Sequence, residues 1–232
     1  SDKSVEKLNK FRNKYSNKFE IFQAANEAGL NVGNLSALIQ AGALSGFKQT
    51  RSRVVLEAQL WNLLTQREKK HCIILGEKYD YDLINILKIL TEFKDEKNKE
   101  VVKQSRYETI SRKYLPYKQI YLQNKKSENY ANWFYEKSLL GYTYNKNLKD
   151  VVIEAEIRDN KEKNIPRRRR QLEYIREIKE LEERTSVRFV GKIDDAFTGI
   201  SKTEKKTPYH RVSVSDETGT MKVMIFSQKK DE

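Results

Sequence analysis

Between Leu38 and Arg53 the chain reads LIQAGALSGFKQTRSR, which sets small residues beside concentrated positive charge. A phosphate that docks on main-chain N–H groups must come close to the backbone, and a Cβ stands in its way. Gly42, Ala43, Ser45 and Gly46 leave that approach open, while Leu44 and Phe47 are placed to plug the turn into a core. The N-terminus of a following helix adds partial positive charge. Lys48, Arg51 and Arg53 add full charges and Thr50 a hydroxyl donor. The stretch reads as a helix-hairpin-helix grip on a nucleic-acid backbone, or else as a glycine-rich turn between packed helices with a solvated basic face.

A second set lies near the C-terminus, where Lys192, Lys202, Lys205, Lys206 and Arg211 accompany the rings of Phe197 and Tyr209. A basic groove with exposed aromatics is what a strand-binding β surface requires. The same lysines also serve simply to keep a sheet edge soluble. The run PRRRR at 166–170 is the densest charge in the chain; at a helix start it opposes the dipole, so it reads as an auxiliary phosphate contact or a solvated run. QLWNLL at 59–64 resembles the short peptides that dock into sliding clamps, yet it falls inside a predicted helix on the core-facing period. Catalytic signatures are missing from the sequence: it holds no phosphate loop followed by Lys-Ser/Thr, no nucleophile elbow and no aspartate pair on neighbouring strands. SDETG is a hairpin signature first, and His71 and His210 lack partners for acid-base work.

Composition sets the class of partner. Among 232 residues, 46 Lys and Arg against 33 Asp and Glu leave a net charge of +13, which favours a polyanion through counterion release. Cys72 is the single cysteine, which excludes an internal disulfide or a cysteine zinc site and suits a reducing compartment. No apolar run approaches the ~20 residues that span a bilayer. The expectation is a soluble, cytoplasmic protein with no membrane partner. The first residue is Ser1, which is read as processing or a cut from a longer polypeptide.

The elements that must position these residues follow from periodicity. Phe19, Phe22 and Ala25 recur at helical spacing up to Glu27, Asn34 is the expected N-cap of the next helix, and Gly42 sits where a left-handed end is wanted. A third helix starts near Thr50 or Ser52 and carries Val55, Leu56, Leu60, Leu63 and Leu64 inward. Residues 79–93 continue the helical period, 94–100 form a solvated connection, and 101–144 read as helical pieces broken at Pro116, with Gly141 ending the last. Pro166 is a first-turn residue for a charged helix. At Ser186 the period turns to alternation: VRFVGKI is the first strand, residues 194–208 a polar loop, and YHRVSVSDETGTMKVMIF two strands around a tight turn. The predicted class is α+β: a helix-hairpin-helix domain over 1–95, a charged helical connection over 96–185 and a three-stranded β-meander over 186–232.

In order along the chain, FEIFQAANEAGLNVGNLSALIQAGALSGF (19–47), WFYEKSLLGYTY (133–144) and VRFVGKI with VSVSDETGTMKVMIF (187–226) resemble the C-terminal part of the C-family bacterial replicative polymerases, the DNA polymerase III alpha subunits. The resemblance implies a tandem helix-hairpin-helix domain, the segment that follows it, and the start of an OB-fold domain. Ser45 stands where the family often has Asp, the His-Pro after the Gly-Tyr segment is missing, and the clamp-binding peptide between the domains is not recognisable. Nothing resembles the palm, fingers or phosphoesterase domains, so the segment implied is non-catalytic and magnesium would belong to the parent's catalytic domain. An OB barrel normally has five strands and three are visible, which suggests a segment of a longer or split polymerase from a low-GC bacterium or phage. The implied partners are duplex DNA at the hairpin, single-stranded DNA at the β-meander and the rest of the polymerase. The alternative is a replisome interaction module that docks a clamp or accessory subunit; an independent nuclease is the third reading.

Overall fold

The computed structural model describes residues 2–44, 48–95, 98–163, 171–202 and 206–226. Among them are ten α-helices, one 3-10 turn and a three-stranded antiparallel sheet, so the class is α+β. The helices are α1 (Asp2–Phe11), α2 (Lys18–Glu27), α3 (Val32–Gln40), α4 (Arg51–Leu63), α5 (Gln66–Gly76), α6 (Leu83–Ile89), α7 (Gln104–Lys126), α8 (Glu128–Leu140), α9 (Leu148–Glu162) and α10 (Ile175–Ile178). The strands are β1 (Lys192–Ile200), β2 (Pro208–Ser215) and β3 (Thr220–Phe226). Contacts divide the chain into two compact units, Ser1–Gly141 and Tyr142–Glu232. That division differs from the boundaries at 95 and 185 expected from composition, because α7 and α8 pack on α3 and α4 and belong to the first unit.

Capping chemistry sets the ends of the N-terminal helices. Asn17 accepts from the N–H groups of Phe19 and Glu20 to start α2, and Thr50 accepts from Arg53 N to start α4. The start of α3 is capped by Asn31, which accepts from Asn34 N at 2.8 Å; this corrects the expected cap at Asn34. Helices α2 and α3 end alike. Gly29 (φ 73°) and Gly42 (φ 80°) are left-handed, and the N–H pairs of Gly29 with Leu30 and of Gly42 with Ala43 return to carbonyls of the last turn at 2.9 to 3.0 Å. Each end is a Schellman motif, which is why glycine stands at both positions.

Apolar periodicity then closes the first unit. Phe19, Phe22, Trp61 and the half-buried Tyr81 form an aromatic cluster, with Phe19 5.1 Å from Trp61 and edge-on to Tyr81 at 5.4 Å. Leu60, Leu83, Ile86, Leu87, Leu90 and Ile110 extend it. Leu60 and Trp61 are buried within helix α4, so QLWNLL is not an extended, accessible peptide. Two helices lie outside the expectation: α1, and α5, whose start the Thr65 and Glu68 capping box does signal in the sequence. The reading of 79–93 as one helix is corrected to a 3-10 turn, left-handed Asp80 and Tyr81, and the shorter α6 capped by Asp82. Helix α7 runs unbroken through Pro116, against expectation. Pro116 removes the N–H that would bond the Arg112 carbonyl, and both residues are exposed, so that turn lies on the solvent side of the helix.

Cys72 is fully buried on α5, and burial, helped by the Glu68 carboxylate, pushes its thiol up to about 12. The native protein is expected to resist maleimide labelling at neutral pH and to label stoichiometrically in denaturant. Labelling at the free-thiol rate without denaturant would contradict this burial.

In the second unit the strand order is β1-β2-β3, all antiparallel. The first strand begins at Lys192, five residues later than expected, and runs through the first part of the expected 194–208 loop. Phe189 instead bridges in parallel to Glu173, whose N–H donates to Arg188 O at 2.8 Å. The turn Asp216 to Gly219 does more than close the hairpin. Asp216 accepts from Thr218 N, the Thr218 hydroxyl, Gly219 N and, with its other oxygen, Ile175 N at 2.7 Å. Glu217 accepts from Leu148 N at 2.8 Å at the start of α9. The two acids of SDETG therefore hold helix N-termini on the hairpin, as a carboxylate at such a position should.

Burial works to raise the Asp216 carboxyl, but those N–H and hydroxyl donors outweigh it and hold the group below its ordinary 3.8. A depressed carboxylate stabilises the fold above its unfolded value, and that contribution is lost as pH falls through the folded one. The melting temperature of the native chain is expected to drop on acidification below about pH 4. D216N, which has no such titration, should show a shallower drop from a lower starting value; parallel curves would refute the assignment.

Candidate nucleic-acid interface

Among the described residues between α3 and the first turn of α4, the main-chain N–H groups of Gly42 and Ala43 and the side chains of Arg51 and Arg53 have internal partners. The N–H groups of Gly42 and Ala43, expected to face a phosphate, are spent on the carbonyls of Ile39 and Leu38. Ser45 and Gly46 lie outside the described residues, as do Phe47, Lys205 and the PRRRR run. Arg51, expected to offer charge, donates to Gln40 O at 3.1 Å and to Glu136 Oε1 at 2.7 Å, and Glu136 is fully buried. Arg53 donates to Glu57 Oε1 at 2.8 Å and Asp82 Oδ1 at 2.9 Å. Burial opposes the charge on Arg53, but attraction to Glu57 and Asp82 outweighs it and raises its pKa further.

At the start of α4, Ser52 N donates to Glu128 Oε1 at 3.0 Å and Thr50 Oγ1 accepts from Arg53 N at 3.3 Å. An internal carboxylate thus occupies the helix N-terminus where an external phosphate was expected. Lys48 is exposed and carries no ion pair among the described residues. The hairpin supplies one outward charge, and the rest of its basic residues hold α4 to α8 and α6.

The sheet differs. Register puts Phe197 opposite Arg211 and Arg211 opposite Met224, while Tyr209 lies opposite both Gly199 and Phe226. Alternation sends these residues to one face, together with Asp195, Ser213 and Lys222. Three rings cross the three strands as a row, Phe197 to Tyr209 at 6.4 Å and Tyr209 to Phe226 at 6.1 Å. The Arg211 guanidinium lies 5.2 Å above the Phe197 ring. Phe197 is 48% exposed, Phe226 55% and Met224 46%, while Tyr209 is half-buried between its neighbours. Gly199 makes the row possible: a Cβ there would meet Tyr209 OH at 2.8 Å and Phe197 Cε1 at 2.9 Å.

Of the expected C-terminal site residues, the sheet brings together Tyr209 and Arg211 and adds Phe197 from a strand rather than a loop. Lys192 starts β1 and pairs with Asp194 at 3.6 Å; Lys202 and Lys206 are exposed in the β1–β2 connection. Phe226, Met224 and Lys222 were missed, although KVMIF carries them at alternate positions. Comparison with family models, curated proteins and solved structures gives no match. Among the described residues, no group of three or more His, Cys, Asp or Glu is placed to hold a metal ion, and no helix is long and apolar enough to cross a membrane.

Proposed function

We propose that this chain is a non-catalytic DNA-binding segment of a C-family replicative polymerase, and that its C-terminal β-meander, the start of an OB-like domain, binds single-stranded DNA. The polymerase origin rests on the ordered sequence resemblance. The observation that carries the binding is the exposed row Phe197, Tyr209 and Phe226 with Arg211 and Lys222 on the same face. Exposed rings stack on bases of any sequence, and cations beside them neutralise the phosphates between. Such a surface selects unpaired strands, because a duplex keeps its base faces buried in its own stack.

Duplex phosphates at the hairpin have less support, since Arg51 and Arg53 are paired internally and Glu128 caps α4. Chemistry is assigned to other parts of the parent polymerase, which would also bring magnesium and any clamp contact. The test is anisotropy with a labelled oligothymidylate and a duplex of equal length across a salt series. The expected result is tighter binding of the single strand, weakening steeply with salt. Equal affinity for both, or no salt dependence, would refute the reading.

A further inference from the structure

A pocket of about 190 Å³ opens in the first unit among α3, α4, α7 and α8. Its volume lies below the roughly 300–1,000 Å³ of pockets for drug-sized ligands, which leaves room for one flat ring system. Val55, Leu56 and Ile120 supply apolar wall, and Tyr117, Tyr121 and Tyr135 supply rings. Tyr117 and Tyr121 stand one turn apart on α7, so both reach the same side of the helix. The one charged residue in the lining is Arg51, and Glu136 neutralises it at 2.7 Å. The site therefore offers no net charge and favours an uncharged occupant.

Its hydrogen-bonding groups are rich and partly unspent. Four carboxamides line the wall: Gln40, Gln59, Asn124 and Asn132. Gln59 donates to Ser36 Oγ at 3.1 Å, and Asn124 to Tyr135 OH at 3.4 Å. The side chains of Gln40 and Asn132 and the hydroxyls of Tyr117 and Tyr121 make no hydrogen bond with other described residues. A carboxamide presents a donor and an acceptor side by side, which matches a ring edge that carries the same pair in reverse. Adenine N6 and N7 form such an edge, and Asn or Gln reads it with two bonds.

We infer that this pocket binds a single unstacked nucleobase, adenine best of the four, held between tyrosine rings and the Gln40 and Asn132 carboxamides. The base comes either from a free nucleoside or from a nucleotide turned out of a strand. The inference concerns the helical unit and does not depend on the reading of the sheet.

The test uses the full chain and calorimetric or ligand-observed NMR titration with adenosine and cytidine. Adenosine should bind saturably and at least threefold tighter than cytidine. N132L keeps the branched shape and heavy-atom count of the side chain and raises helix propensity, and Y117A truncates a partly exposed ring, so the melting temperature of each variant is read alongside its affinity to confirm that it is folded. Each should weaken adenosine at least tenfold. To separate the sources, an oligonucleotide with one adenine among abasic sites is added to an F197A/F226A background, which removes competition at the sheet. Displacement of adenosine assigns the pocket to a strand base, and failure to displace it assigns the pocket to a free nucleoside. No saturable adenosine binding, no preference over cytidine, or affinity within twofold of the parent in either pocket variant overturns the inference.

Discussion

Alanine at both Phe197 and Phe226 is expected to weaken single-strand binding about thirtyfold or more. Base–aromatic stacking contributes about 1–3 kcal/mol per base, so two lost platforms at the low end remove about 2 kcal/mol. Both rings are about half exposed, so their truncation leaves little cavity and should not unfold the sheet. The two sites are not independent, because Tyr209 touches both rings and loses its lateral support when they go. The double variant should therefore cost more than the sum of the singles. R211A is a different kind of change: it removes one phosphate partner and should lower the salt slope by about 1 while leaving the stacking free energy in place. Anisotropy with a short oligothymidylate at several salt concentrations measures both quantities, and circular dichroism checks the fold. Unchanged affinity in a folded F197A/F226A protein would remove the sheet from the binding surface.

The largest stability effect should follow loss of Glu57. This carboxylate is fully buried on α4, is ion-paired with Lys18, and accepts from Arg53 at 2.8 Å. Lys18 is itself only 4% exposed and also reaches Gln49. Burial depresses the Lys18 pKa and the Glu57 carboxylate opposes that depression, so the two charges support each other. E57A strands Lys18 in the core and leaves Arg53 with Asp82 as its remaining ion-pair partner. Breaking a buried pair from one side typically costs about 3–5 kcal/mol, enough to consume a large part of a domain's stability. Replacing both members, as in K18M/E57L, removes the stranded charge and should recover much of the loss. Denaturant unfolding reads both variants. A cost below about 1 kcal/mol for E57A would mean that Lys18 finds water on its own.

Much of the helical unit was legible because its signals are local. Gly29 and Gly42 mark helix ends through their own φ, and Thr50 announces α4 through its own side chain. The first strand was misplaced because VRFVGKI alternates as well as the true β1, and only the bulge between Ile193 and Asp195 and the pairing with β2 choose between them. Phe197 is exposed as expected but lies in a strand rather than a loop; its neighbours Asp194, Asp195 and Gly199 look like loop residues. Their presence in a strand is explained by an exposed face and by Tyr209 crossing over Gly199.

By itself the sequence determined the α+β order, the two glycine-ended helices, the Asp-Glu-Thr-Gly hairpin and a basic surplus suited to a polyanion, because each is written within a few neighbouring residues or in the composition. Only the tertiary structure decided which charges face outward. Arg51 and Arg53 look like a phosphate grip along the chain, yet their partners Glu136 and Asp82 lie 85 and 29 residues away, and Glu128 reaches the same helix end from 76 residues beyond Ser52. A charge is free or spent according to what folds against it, and that is a long-range fact. The aromatic row has the same origin: three rings from three strands become one surface only when register aligns them.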